Sequence, residues 1–440
     1  MKLHAIKTLD NPPVLQKRLS QQDVIAFNGK VFRASYSDSE TESILESYSL
    51  KKLFTQKNLS SFRILRGTEK KYLMGIFAPF LRTADATKVR LLEQKPLEHS
   101  ASPAQWTSSM WVEAARLVLQ ISSELLADGL ELAEINPEDI GFRHTKPIFI
   151  NPSIIEPFDM TQYAWKHHAE FRRRFINPLV RFIRLDIPFD QSLMYENGVE
   201  PESLLQEAGW LRSLSPGLFS SAFLPSILNQ QVKKRGFFSF YKTPEINEVV
   251  EYRKNFFASL LKEVNKIQDT NLLKKHTKPK EPLASITTSE SWIKEKINLF
   301  HPRSILEFHS ADLTFSKYAS EIGIDFISHQ PDEKVCDRIF RESNRLKIRN
   351  LCCNEKNLSR FAPAEMILMS RSSIEKALTQ FHFEDELIQY LSKSVSKYLI
   401  LDIPSADPLH QKLEKFGFVF SDGFSTFSLF IKVDVQTRFV

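Results

Sequence analysis

Between residues 304 and 403 short apolar runs alternate with stretches of helical periodicity, and this alternation narrows the architecture more than any other feature of the chain. Runs at 304–308, 324–328, 348–353, 365–369 and 398–403 read as strands, with helical patterns at 314–320, 333–344 and 383–394 among them. Strands separated by helices pair in parallel, because only a crossover of a dozen or more residues can return the chain to the same edge. The chain then closes with apolar runs at 416–420 and 426–433 around the turn Ser421-Asp-Gly423, a terminal hairpin. An α/β, Rossmann-like layer follows, with a seven-stranded sheet and an antiparallel last strand.

The turn after the first of these strands is the place where such a sheet presents backbone N–H groups and a helix N-terminus to a ligand. Glycine normally lets that backbone approach the ligand at positive φ without a Cβ clash. Here the turn is His309, Ser310, Ala311, Asp312 and Leu313, with no glycine. Glycine is scarce throughout, 12 residues against 35 phenylalanines in a chain of 440, where about 7% is usual. A working ligand loop is nonetheless the last place to lose all of them.

This length exceeds one ordinary core and predicts two domains. With 42% hydrophobic and 25% charged residues the composition is globular. No apolar run approaches the roughly 18 residues of a membrane span, and the first residues lack the apolar stretch of a signal peptide, so the expectation is a cytoplasmic protein. Cys336, Cys352 and Cys353 have neither disulfide nor zinc spacing and read as buried apolar fillers. A net charge of +6 is mild. The arginines at 172–174, 181 and 184 and the basic clusters at 233–235 and 274–280 read as solvated faces and linker, since no nucleic-acid-binding motif accompanies them. No internal repeat is present.

Upstream, residues 1–240 read as a mixed α/β domain. Strands fit at 31–35, 62–65 and 89–92, a helix at 42–54, and Asn28-Gly29 marks a turn. Met110, Ala114, Leu117, Val118, Ile121 and Leu125 form one apolar helix face that ends at Asp128-Gly129. Short strands follow at 140–143 and 148–150, then a helical block at 163–184. Thr243-Pro244-Glu245 opens a helix to about residue 267, and the lysine-rich stretch 269–282 reads as linker. The expected units are therefore 1–240, a connecting helix and basic linker at 241–285, and the Rossmann-like domain at 286–440.

Several separated stretches resemble a bacterial family of nodulation-protein-like class I methyltransferases dependent on S-adenosylmethionine (SAM). Gly29-Lys-Val-Phe-Arg33 resembles the family's Gly-x-Val-x-Arg strand. Gly129-Leu-Glu-Leu-Ala-Glu-Ile-Asn-Pro-Glu-Asp-Ile-Gly-Phe142 with Pro147-Ile-Phe-Ile-Asn151 resembles its central segment, and Leu399-Ile-Leu-Asp-Ile-Pro-Ser-Ala-Asp-Pro408 its late strand. The family's cofactor loop, Val-Leu-Asp-Leu-Gly-Ala-Asn-Thr-Gly-x-Phe-Ser, lies over Ile305-Leu-Glu-Phe-His-Ser-Ala-Asp-Leu-Thr-Phe-Ser316. Glu307 keeps the acid, while His309 and Leu313 replace both glycines. The acid that accepts the ribose hydroxyls falls at Ser328 or His329, the one near adenine at Asn354-Glu355, and the histidine pair after the fourth strand within 370–375. If the site binds SAM, the resemblance implies that Glu307, Ser310, Asp312, Ser328 and Glu355 line it. A lost ribose hydrogen bond costs about 1–3 kcal/mol where its partner stays buried, and side chains from 309 and 313 would add steric exclusion.

The segment from Glu134 to Asn151 also resembles the catalytic segment of kinase-like folds. A long helix leads to an acid, a metal-binding side chain follows five residues on at Asp139, and another falls at Asn151 after a strand pair. Carboxylate and amide are exchanged relative to that pattern, leaving two oxygen ligands for a hard cation. The other reading is that Asp139 caps a turn and Asn151 ends a strand. His167 and His168 point to different helix faces and do not form a shared metal site. The reading that follows is a methyltransferase-like protein with a degenerate SAM site, binding an unidentified protein partner as a non-catalytic scaffold. The alternatives are an active SAM-dependent methyltransferase of unknown acceptor and a nucleotide-binding N-terminal domain of kinase-like descent.

Overall fold

The computed structural model describes residues 14–18, 22–27, 30–35, 62–81, 89–94, 97, 100–151, 154–158, 163–213, 246–269, 287–354, 363–381, 384–404 and 407–433. In the N-terminal part, strands β1 (Val14–Arg18), β2 (Gln22–Phe27), β3 (Lys30–Ser35), β4 (Phe62–Ile64) and β5 (Arg90–Gln94) form an antiparallel sheet in the order β1-β2-β3-β5-β4. Helix α1 (Gly67–Phe77) lies between β4 and β5 in sequence and buries Leu73, Met74 and Phe77 against Phe27 and Phe32. Neither β1, β2 nor α1 was legible in the sequence pattern. Gly75 and a run of lysines give α1 a weak apolar face.

Helix α2 (Ser108–Leu126) forms where the apolar residues repeat at three and four, and Thr107 caps it by accepting from Met110 N–H. It leads through Gly129, at φ 71°, into β6 (Leu130–Leu132). Strands β7 (Ile140–Arg143) and β8 (Lys146–Phe149) make a hairpin, and β9 (Ile155–Pro157) pairs with β6. The expected continuous helix at 163–184 is interrupted. Helix α3 (His168–Phe171) passes through a π-helical stretch, Arg172–Ile176, into α4 (Asn177–Leu185). The wider turn leaves the Arg173 carbonyl to accept Val199 N–H at 2.9 Å. Helix α5 (Pro201–Ser213) follows, then α6 (Ile246–Asp269), which lies along α2 through Arg116 and Asn265. The expected helix at 42–54, the turn at Asn28-Gly29, the helix start at 243–245 and the linker beyond Asp269 lie outside the described residues.

The arginines of the basic run are paired within the chain. Arg172 meets Glu263 at 2.9 Å, Arg173 meets Glu200 at 3.2 Å, Arg174 meets Glu170 at 3.2 Å and Arg181 meets Glu207 at 2.7 Å. Arg253 of α6 is 1% exposed, donates to Glu131 at 2.9 Å and lies 4.2 Å from the Phe158 ring centroid.

The C-terminal part opens with α7 (Thr287–Phe300) and continues as β10 (Ser304–Phe308), α8 (Thr314–Glu321), β11 (Asp325–His329), α9 (Glu333–Leu346), β12 (Asn350–Cys353), β13 (Ala364–Met369), α10 (Arg371–Gln380), α11 (Glu384–Ser394), β14 (Val395–Asp402), α12 (Leu409–Lys415), β15 (Phe418–Phe424) and β16 (Phe427–Lys432). The seven strands lie in the order β12-β11-β10-β13-β14-β16-β15, parallel except for the two pairings of β16. This is the class I methyltransferase fold, as the alternation and the resemblance predicted. Alternate residues of β10 serve two cores: Ile305 packs with Phe326, Met366 and Trp292 of α7, and Leu306 and Phe308 with Ile327, Ile367 and Phe340.

The second of these cores runs without a break into the N-terminal part, through Phe142 and Phe340, whose ring centroids are 6.0 Å apart. At the same seam α9 supplies carboxylates to the first turn of α2. Glu333 accepts from Ser108 N–H at 3.0 Å and Asp337 from Ser109 N–H at 2.9 Å. His144 beside Asp325, at 3.0 Å, and Arg349 hold the Asp325 carboxyl down at about 2 against its partial burial. Among the described residues no helix is long and apolar enough to cross a membrane.

Candidate functional site

Strand β10 ends at Phe308 because residue 309 turns left-handed, φ 52°, the conformation a glycine would adopt there without strain. The turn is then fastened to its neighbours. Ser310 N–H donates to His329 O at 2.9 Å, Gln330 Nε2 donates to Ser310 O at 2.8 Å, and Arg338 donates to Ala311 O at 2.9 Å. Asp312 accepts from Thr314 N–H at 2.8 Å, which starts α8 with an Asx turn. His309 N–H faces His329 Nδ1 at 3.5 Å. Backbone donors at 309, 310 and 314, in the loop where such a fold turns N–H groups to a ligand, are thus committed within the protein.

Side chains occupy the same region. His309 is 7% exposed, its ring lies 5.3 Å from that of His329, and neither of its nitrogens has a hydrogen-bond partner among the described residues. Burial, aided by the Lys376 charge, pulls its pKa down to about 4. Phe308 packs edge-on against His329 at 5.3 Å and against Tyr390 at 6.1 Å, and its carbonyl accepts from Ser373 Oγ at 2.8 Å. Helix α10, where the resemblance would place a histidine pair, instead starts on a serine cap, with Ser370 Oγ accepting from Ser373 N–H.

Glu307, Ser310 and Asp312 come together. Ser310 Oγ donates to Glu307 at 2.6 Å and lies 3.2 Å from Asp312 O. Burial pushes the Glu307 carboxyl up to about 7, with the Ser310 hydrogen bond opposing and the Asp312 charge assisting. Ser328 sits beside Glu307 in the register of β10 and β11 but makes other bonds. It points to the opposite sheet face from His329, is wholly buried, and donates to Asn350 Oδ1 at 3.0 Å, while Asn350 donates to Ser343. Glu355 lies outside the described residues. The thiols of Cys336 and Cys352 are buried at the α9–β12 contact, and burial raises both far above the ordinary cysteine range.

The second candidate site lies beyond the β7–β8 hairpin. Asn151 Nδ2 donates to Asp139 Oδ1 at 2.7 Å, both side chains buried. Asp139 closes a short turn, with its N–H bonded to Asn136 O, and Asn151 lies two residues beyond the end of β8. Arg33, which the sequence shows only as the end of a strand motif, joins them. Arg33 of β3 is buried, donates to Gln94 at 3.0 Å, and interacts electrostatically with Asp139. Gln94 in turn donates to Ile150 O at 3.0 Å. An arginine flanked by apolar residues in β3, Val31-Phe32-Arg33-Ala34, was the available signal. Among the described residues no group of three or more histidine, cysteine or acidic side chains is arranged to hold a metal. His167 bonds Glu170 and His168 packs edge-on against Phe256, in keeping with separate helix faces.

No family model matches the chain. Among curated proteins, nodulation protein NoeA of Rhizobium meliloti (strain 1021) is 30% identical over 91 residues, 21% of this chain and 19% of NoeA, so the match spans about a fifth of that relative. Among solved structures, magnesium protoporphyrin IX methyltransferase (ChlM) from Synechocystis PCC 6803 with bound SAM is similar at 10% identity, over 39% of this chain and 96% of that one, with a TM-score of 0.28. A putative RNA methyltransferase, PH1948 from Pyrococcus horikoshii, is similar at 14% identity, over 38% of this chain and 99% of that one, with a TM-score of 0.29. The assignment of the C-terminal part to the class I methyltransferase fold rests on its strand order and on the direction of β16.

Proposed function

We propose that this chain is a methyltransferase-fold protein that does not bind SAM and acts in the cytoplasm as a non-catalytic scaffold for a protein partner. The observation that carries the reading is His309. Its imidazole is buried beside His329 at the backbone position where a glycine would leave room for a ligand, and the N–H groups of 309, 310 and 314 are bonded internally. On this reading the His309 ring and SAM compete for one space, and Ser328, one of the two positions that the resemblance gives the ribose acid, is spent on Asn350. The test is isothermal titration of the full-length protein with SAM and with S-adenosylhomocysteine. The reading predicts no heat up to millimolar ligand from folded protein. Micromolar binding of either would refute it and favour an active methyltransferase in which Glu307, Ser310 and Asp312 contact the cofactor.

The Arg33–Asp139–Asn151 constellation favours a second reading for the N-terminal part, a nucleotide site of kinase-like descent. Its supports are the sheet order β1-β2-β3-β5-β4, the long helix α2 before β6, and a buried cation on β3 electrostatically linked to an acid on the turn. Titration with ATP and magnesium tests it. Binding that Asp139→Asn weakens supports the reading, and the absence of binding at millimolar nucleotide removes it.

A further inference from the structure

Buried polar side chains meet where β3 and β5 face the turn before β7 and the residues after β8: Arg33, Gln94, Asp139 and Asn151. Arg33 stands opposite Leu92 of β5, two residues from Gln94, so the two side chains share one sheet face. A continuous path of hydrogen bonds then crosses from the sheet to the turn. Arg33 Nε donates to Gln94 Oε1, Gln94 Nε2 to Ile150 O, Ile150 N–H to Asp139 O at 2.8 Å, and Asn151 Nδ2 to Asp139 Oδ1.

By type and spacing, Asp139 and Asn151 are the side chains that would give oxygen to a hard cation. Their bonds are arranged otherwise. A carboxylate only accepts, so Asn151 turns its nitrogen and not its oxygen to Asp139. To chelate an ion the amide must turn over and forfeit that bond. The ion would then stand near a guanidinium that already answers the Asp139 charge: burial lowers the Arg33 pKa, and Asp139 opposes the loss of its proton. A buried guanidinium needs an anion as much as a buried carboxylate needs a cation, and like charges are poorly screened in such an interior.

We infer that Arg33 is a built-in cation for Asp139, and that it excludes magnesium, manganese and calcium from a place whose residue pattern calls for one of them. Arg33 thereby determines what the site accepts: a phosphorylated ligand there would bring its own metal or bind without one. The inference does not rest on the nucleotide reading, and the metal is titrated with no nucleotide present, so the two fail separately.

The probe is Mn²⁺, followed through the relaxation of water protons in solutions of the full-length protein, with Asp139→Asn as the measure of binding elsewhere on the surface. Wild type and Asp139→Asn should give the same titration up to about 1 mM Mn²⁺. Arg33→Ala removes both the charge and the bulk of the guanidinium, and should bind Mn²⁺ at least about tenfold more tightly than wild type, a gain lost in Arg33→Ala/Asp139→Asn. If Arg33→Ala does not fold, that double variant, with both charges gone, should regain a cooperative thermal melt. Asp139-dependent binding of Mn²⁺ to wild type below about 1 mM, no gain in folded Arg33→Ala, or a double variant no more stable than Arg33→Ala would each overturn the inference.

Discussion

Asp337 on α9 accepts the backbone N–H of Ser109 on α2 at 2.9 Å, so a helix of the methyltransferase-fold part supplies a carboxylate to the first turn of a helix in the N-terminal part. A negative charge at a helix N-terminus is stabilising, and Ser109 is buried, so no solvent replaces the lost acceptor. Asp337→Ala should destabilise the protein by about 1–3 kcal/mol. Urea unfolding should follow the two parts together, and an unchanged midpoint would refute the coupling.

Glu333, one turn earlier on α9, gives a pH signature. Burial, reinforced by the Asp337 charge, pushes its carboxyl up to about 7 from an ordinary 4.5. Between those values the native state holds a proton that the unfolded chain has released. Stability from this group is therefore full below about 4.5, falls as pH rises toward 7, and is level above it. Glu333→Gln should gain on the wild type across that window by at most about 1.4 kcal/mol per pH unit. Parallel melting curves of the two proteins across the window would count against the shift.

His309 combines a left-handed backbone with a buried ring that lacks hydrogen bonds. His309→Gly relieves the backbone strain, and at about pH 8 it should raise stability by roughly 1 kcal/mol. The native imidazole is depressed to about 4 from an ordinary 6.5, so the wild type loses stability as pH falls through that interval and the advantage of the variant should widen. Thermal melts at about pH 8 and pH 5 check both the sign and the trend.

The buried pair of Arg253 and Glu131 is asymmetric. Lys166 also reaches Glu131, at 3.2 Å, so the carboxylate keeps a cation when the arginine goes, whereas Glu131→Gln leaves a guanidinium 1% exposed beside a neutral amide. Glu131→Gln should cost about 3–5 kcal/mol and Arg253→Met clearly less. Equal losses in denaturant melts would contradict this assignment.

What the sequence revealed and what it hid divide along physical lines. The βα alternation after residue 304 and the apolar face of α2 were legible because burial imposes a period on local sequence. The loss of glycine at 309 was legible too, since φ above zero has a strong residue preference. The surroundings of Ser328 were hidden, since its acceptor Asn350 is 22 positions along the chain. The π-helical stretch was hidden because it depends on a partner for the Arg173 carbonyl in a loop 26 residues away, at Val199. The setting of Arg33 was hidden for the same reason, its acceptor Gln94 being 61 positions along the chain.

The carboxylates at the start of α2 also set a schedule for synthesis. Ser108 and Glu333 are 225 residues apart. At about 5–20 residues per second a ribosome needs roughly 10–45 s to make that length. For that interval the first turn of α2 exists without its acceptors and the apolar seam at Phe142 without Phe340, so the nascent N-terminal part waits, incompletely covered, for the end of its own translation.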